Sequence, residues 1–189
     1  MTQFNNLFVV YDPTRSKQPA LEKAVSIAEE TSAKIHVFAC IFSEIAAPGD
    51  SSVEVTRLIA EQQSLLDEVL RPLIDSGIKV STEVEWDKDW YQAVVRASSK
   101  NAADMVLKSS YKHSSPKRLL NRTSDWIVMR ECLCPVLLVK GRKPREIPRV
   151  LAAIDITARK ESYARLNQKV VAVGKDIMKR EKAEVHVVL

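Results

Sequence analysis

Glycine is scarce in this chain: four residues in 189, about 2% against a usual ~7%. A chain this poor in glycine has little material for glycine-rich phosphate loops. Cysteine is scarcer still, with three residues, an odd number that makes no disulfide framework. Cys132 and Cys134 are one residue apart, which is not a zinc spacing, and no second pair completes a site. They read as reduced thiols of a cytoplasmic protein. No apolar run approaches the roughly 18 residues of a membrane span. Met1-Thr2-Gln3-Phe4-Asn5-Asn6 has no basic region before an apolar stretch, so it does not read as a signal peptide.

What is present is ordinary globular material, 46% apolar and 28% charged, which excludes a disordered polyampholyte. The charge is uneven. Residues 140–189 hold 13 Lys+Arg and 6 Asp+Glu, a balance of +7, while residues 1–139 hold 16 and 18, a balance of −2. The basic residues are spread through a helical pattern with no interleaved aromatics. They read as a solvated face rather than a nucleic-acid platform.

Short apolar runs alternate with helical periodicity. Leu7-Phe8-Val9-Val10-Tyr11, ending at Asp12-Pro13, reads as a strand buried on both faces. Pro19 opens a helix carrying Leu21, Ala24, Val25 and Ala28 on one side. Ile35–Phe42 is a second buried strand. Ser51 and Glu54 pattern as a capping box before a long helix through Leu73, which Pro72 should weaken and Gly77 should stop. Ile78 to Trp86 alternates like an edge strand. Residues 89–101 form a helix with a small stripe of Ala93, Val94 and Ala97. Asp104–Lys108 is a short strand. A polar loop from Ser109 to Arg122 leads to a helix near Thr123–Arg130, and Pro135–Lys140 is the fifth strand. The alternation predicts an α/β fold with a parallel sheet and right-handed crossovers.

Residues 142–148 read as a linker, after which the pattern restarts. Val150–Asp155 repeats the first strand, with Asp155 in the place of Asp12. Tyr163, Leu166, Val170, Val173 and Ile177 then mark one helix face. Ala183-Glu184-Val185-His186 repeats Ala33-Lys34-Ile35-His36. This is an internal repeat: a domain over 1–141, then a β-α-β start of a second over 149–189. Two strands and one helix cannot cover a sheet, so the second copy is expected to be truncated. The paired histidines, Trp90 and Trp126 read as packing residues. No orienting carboxylate accompanies His113 beside Ser114 and Ser115, so no catalytic constellation is read there.

The strand ending in Asp12-Pro13, the Asp104-Met105-Val106-Leu107-Lys108 strand, Lys117-Arg118-Leu119-Leu120 and Cys134-Pro135-Val136-Leu137-Leu138-Val139 together resemble the universal stress protein family. The restart after residue 148 is similar to its two-domain E branch. The resemblance implies a Rossmann-like open five-stranded sheet of order 3-2-1-4-5 with helices on both faces. It implies a ligand crevice at the carboxyl ends of strands 1 and 4, as expected at a switch point. Nucleotide-binding members carry a loop after strand 4 that reads Gly, two residues, Gly, nine residues, Gly, then Ser or Thr. Here those glycine positions fall on Ser109, Lys112 and Arg122, and only the hydroxyl survives, as Thr123. Side chains stand where phosphate would lie against bare backbone.

Two readings stay open for Asp12, a crevice ligand or an Asx turn. Lys112 and Arg122 either hold an anion by charge or belong to a solvated basic loop. The resemblance, with the emptied loop, implies a non-catalytic stress-response protein with no required cofactor, acting through protein contacts or a small ligand. The alternative is an ATP-binding switch with weak hydrolysis. The resemblance further implies pairing through Val136, Leu137, Leu138 and Val139, as a homodimer or a tandem pseudo-dimer. No membrane partner is implied, and partners are expected to be regulatory proteins.

Overall fold

The computed structural model describes residues 4–43, 51–111, 118–141, 148–157 and 160–188, with backbone alone for Ser51 and residues 118–124. The chain divides into two compact units, whose described residues lie within 4–141 and 148–188.

The larger unit runs β1 (Asn6–Tyr11), α1 (Pro19–Thr31), β2 (Lys34–Ile41), α2 (Ser51–Asp75), β3 (Val80–Trp86), α3 (Trp90–Lys100), β4 (Met105–Ser109), α4 (Arg118–Glu131) and β5 (Val136–Val139). The five strands form one parallel sheet in the order β3-β2-β1-β4-β5. The Rossmann-like order that the resemblance implies is the order found.

β1 is central, and its Leu7, Phe8 and Val9 are fully buried. Alternation sends Leu7 and Val9 to a core shared with Leu21 and Ala24 of α1 and Leu66 and Leu70 of α2. Phe8 and Val10 go to the other face, with Ala93, Val94 and Ala97 of α3 and Val128 of α4. A strand sandwiched this way must be apolar at every position. Each large side chain it buries contributes about 1.5–3 kcal/mol.

α2 runs through Pro72 to Asp75. Gly77, at φ 90°, then ends it. Ile78 N–H donates to Leu73 O at 3.2 Å and Gly77 N–H to Ile74 O at 2.9 Å, the paired bonds of a Schellman stop. The Ser51 side chain of the expected capping box lies outside the described residues; its partner in that reading, Glu54, is described. Its carboxylate is held by the Arg57 guanidinium at 2.5 and 2.9 Å, because an arginine three residues on lies on the same helix face.

α4 also begins earlier than the sequence suggested, at Arg118 rather than near Thr123. Residues 118–122 contain no glycine or proline to interrupt helical backbone. The lack of glycine that argues against a phosphate loop therefore also lengthens this helix. On α4, Val128 faces the core, while Trp126 is 58% exposed, so the packing role expected for Trp126 does not hold.

In the smaller unit, β6 (Arg149–Ala153) and β7 (Glu184–Val188) pair in parallel on either side of α5 (Glu161–Glu181) in sequence. Gly174 is the buried point of α5. A Cβ there would sit 3.4 Å from Val185 Cγ1 and 3.9 Å from Ala152 Cβ. The helix therefore touches its strands through glycine. Tyr163 and Leu166, read as core-facing, are exposed, and so are Leu151, His186 and Val188 on the strands.

Candidate functional site

β1 crosses through α1 to β2 on one side, and β3 crosses through α3 to β4 on the other. The chain thus reverses direction across the sheet between β1 and β4, and the carboxyl ends of two such strands are where open α/β sheets take their ligands.

Asp12 follows β1 there. Its Oδ1 accepts from Thr14 N–H at 3.0 Å and from the Thr14 hydroxyl at 2.6 Å, so the Asx turn is formed. Gln18 fixes the same loop from below and is 7% exposed. Its Nε2 donates to Asp12 O at 2.6 Å and Arg15 O at 2.8 Å, and its Oε1 accepts from Asp12 N–H at 3.3 Å. The smaller unit carries a matching arrangement. Asp155 Oδ1 accepts from Thr157 N–H and Oγ1 at 2.9 and 2.7 Å. Asn167 brackets Asp155 N and O at 3.2 and 2.7 Å.

On the β4 side, Ser109 is 3% exposed, and its Oγ accepts from Ala20 N–H at 3.1 Å. The hydroxyl satisfies one of the unpaired donors at the start of α1. The Tyr111 hydroxyl donates to Lys17 O at 2.7 Å, and the Arg15 guanidinium lies 5.1 Å above the Tyr111 ring. A contact thus joins the β4 side to the loop after β1. Burial first, then the neighbouring Tyr111 and Asp12, push the Tyr11 phenol up.

Lys108, one residue before Ser109, points to the α3–α4 face. Its Nζ is 3.0 Å from Asp125 Oδ1 of α4 and 5.0 Å from the Trp90 ring centre. Arg122 and Thr123 lie in the second turn of α4 by backbone, so Thr123 does not open the helix. Lys112, His113, Ser114 and Ser115 fall outside the described residues. Val136–Val139 end the sheet, with β4 on one side; all four are half-buried.

Gln18, Tyr111, Arg15 and Lys108 were not singled out from the sequence. A glutamine directly before the helix-opening Pro19 is the one signal available, since a side chain there can reach back across the turn. Tyr111 and Arg15 are 96 positions apart in sequence, and only the fold joins them.

His36 is buried, stacked on Phe8 at 5.3 Å. Its Nδ1 meets Ser81 Oγ at 2.8 Å, while Nε2 sits 3.3 Å from Glu83 Oε2 without hydrogen-bond geometry. Burial outweighs Glu83 and lowers the imidazole pKa. Burial likewise pushes the Cys40 thiol up to about 11 and raises Cys132 and Cys134, so none of the three favours thiolate chemistry. Among the described residues no group of three metal-ligating side chains comes together, and no helix is long and apolar enough to cross a membrane. A shallow hollow on the outer face of α2, lined by Arg57, Ala60, Glu61, Ser64, Leu65 and Glu68, is too open to enclose a ligand.

The model of the universal stress protein family matches residues 3–140. Universal stress protein E of Photorhabdus laumondii is 26% identical across the whole chain, which covers 62% of that protein; the chain thus spans about three-fifths of its length. A putative universal stress protein of Pseudomonas aeruginosa superposes with a TM-score of 0.74 at 23% identity, covering 98% of this chain and 61% of that one. A universal stress protein solved in complex with cAMP superposes with a TM-score of 0.53 at 18% identity, over 74% of this chain and 99% of that one.

Proposed function

Because the chain belongs to the universal stress protein family, we propose that it is a non-catalytic stress-response protein of the cytoplasm. It works through protein contacts or a small ligand, at a β1–β4 crevice that no longer cradles phosphate. The observation that carries this reading is Ser109. It stands where nucleotide-binding members are expected to place the first loop glycine, and its hydroxyl is committed to Ala20 N–H. A phosphate oxygen seeking that space meets a buried side chain instead of open backbone donors. The second and third glycine positions, Lys112 and Arg122, also carry long side chains.

The second reading is a nucleotide switch. The neighbour solved with cAMP shows that a protein of this fold takes a nucleotide. Equilibrium binding of labelled ATP to the whole chain separates the two. Weak or absent binding is the expected result, and submicromolar affinity gives the switch the better claim.

Self-association belongs to the same proposal. β5 ends the sheet and offers Val136–Val139, and an apolar edge strand is a liability unless it is paired. A second copy, or a tandem half, pairs with it.

A further inference from the structure

We propose that the bare face of the β6–β7 sheet pairs with the same face of a second copy, about a two-fold axis parallel to the strands.

Gly174 of α5 lies against Ala152 and Val185, so those positions face the helix. Side chains alternate along a strand. Arg149, Leu151 and Ala153 of β6 therefore stand on the other face, with Glu184, His186 and Val188 of β7. The register sets Arg149 beside Glu184, Leu151 beside His186 and Ala153 beside Val188. Among the described residues nothing covers this face: Leu151 is 70% exposed and Val188 40%, and Ala153 and His186 are exposed too. In the larger unit the matching residues Phe8, Val10, His36 and Phe38 are all buried, and α3 and α4 lie over Phe8, Val10 and Phe38. The smaller unit thus turns to solvent a surface of the kind that the larger unit keeps inside.

Charge decides the occupant. At one end of the face Arg149 Nε is 3.1 Å from Glu184 Oε2; the other end, Ala153 and Val188, is uncharged. Stacked sheets lie about 10 Å apart with their strands nearly aligned. A two-fold along the strands lays β6 of one copy on β7 of the other. Arg149 then meets Glu184 of the second copy and Glu184 meets its Arg149, so opposite charges face each other twice. Leu151 meets His186, and Ala153 meets Val188. A two-fold across the strands would instead press the ion pair onto alkyl groups that offer the charges nothing. The face is complementary to itself in one arrangement, as an isologous contact requires.

The face is also small. Two five-residue strands offer far less than the roughly 800 Å² per partner of a stable interface. The pairing is therefore weak, with a Kd on the order of hundreds of micromolar.

The test uses the whole chain carrying Leu138→Lys, a charge that blocks pairing along β5. The methyl signals of Leu151 and Val188 are followed by NMR from about 50 µM to about 1 mM, a range that brackets this Kd. Arg149→Glu and Glu184→Arg are then made separately. Each alone sets like charges against each other twice across the two-fold, and self-association should weaken by at least about tenfold. Mixed one to one, the two variants should associate again, because each copy supplies the charge that the other needs. The pair within each copy stays broken, so this recovery reads only the contact between copies. Methyl signals that do not move with concentration overturn the proposal. So does a weakening below about threefold in either variant, or a mixture that associates no more than its parts. Should a reversal unfold the smaller unit, Leu151→Glu decides, since a residue 70% exposed is exchanged with little effect on its own copy. Loss of the Val188 shifts in that variant supports the pairing, and their persistence overturns it. With β5 blocked throughout, the outcome is independent of the edge-strand reading and of the ATP measurement.

Discussion

Gln18 and Asn167 grip an aspartate in the same way from different elements. Each side-chain amide donates to the aspartate carbonyl, Gln18 to Asp12 at 2.6 Å and Asn167 to Asp155 at 2.7 Å, and accepts from the same residue's N–H. Gln18 sits just before α1, six residues from its aspartate, whereas Asn167 sits inside α5, twelve residues away. Two different chain paths thus converge on one backbone geometry at the end of a strand. Gln18 differs in being buried and in adding a third bond, to Arg15 O.

Replacing Gln18 should therefore cost more than replacing Asn167. Gln18→Ala leaves Asp12 O and Arg15 O without their donor in a largely water-excluded place, at about 1–3 kcal/mol. Asn167→Ala exposes groups that water reaches, and its cost should stay below about 1 kcal/mol. Urea unfolding of the two variants checks the order. Equal losses would mean that burial does not set the value of the bracket.

His36 gives the fold a pH dependence of definite sign. Its folded pKa is depressed below the ordinary 6.5, chiefly by burial. The unfolded chain therefore takes up the proton first as pH falls. The stability contributed by the neutral ring is full above about pH 6.5 and is lost as pH drops through the lowered folded value. Denaturation midpoints at pH 7 and pH 5 should differ, and His36→Gln should shrink that difference. An NMR titration placing His36 above 6.5 contradicts the argument.

The Lys108–Asp125 pair should respond asymmetrically. The lysine side chain is 17% exposed and the aspartate 31%. Asp125→Ala leaves a poorly hydrated cation beside Trp90, costing about 1–3 kcal/mol after allowance for the partial exposure. Lys108→Met removes the charge but refills the volume over the ring, and should cost less. Thermal unfolding of both variants decides, and a larger loss for Lys108→Met would show that the cation–π contact outweighs the ion pair.

The strands were legible because a doubly covered parallel sheet demands unbroken apolar runs such as Leu7–Val10 and Ile35–Ala39, and few other structures do; their order was implied by the resemblance to the family. The start of α4 was not. The reading placed a loop where the family's glycines would be, yet Arg118–Arg122 contain nothing to stop a helix. Trp126 was misjudged because a large aromatic in a helical pattern usually packs inward, and only the position of Val128 fixes which side of α4 faces the sheet. At the site, Asp12 was legible from Asp-Pro-Thr, since an Asx turn is local chemistry. Tyr111 over Arg15 was not, because the contact depends on β1 lying beside β4. Ser109 was read as the first residue of the loop after the strand ending at Lys108, whereas it closes β4, and its bond to Ala20 needed α1 in position.

The β5 edge makes the last prediction. Leu137 and Val139 pack against the core on the α1–α2 face, and Val136 packs on the other. Leu138 is the one residue of the strand that neither core cluster includes. A charge placed there leaves the inner packing intact and puts an ammonium group on any surface that pairs along β5, where desolvating it is costly. If copies associate through this edge, the natural chain should sediment as a dimer at tens of micromolar, and Leu138→Lys should sediment as a monomer with nearly unchanged thermal stability. A natural chain that is already a clean monomer removes the edge from consideration as a self-pairing surface. A Leu138→Lys variant that stays dimeric moves the contact elsewhere, and the exposed Trp126 and Leu133, 58% and 88% accessible, then become the residues to substitute next.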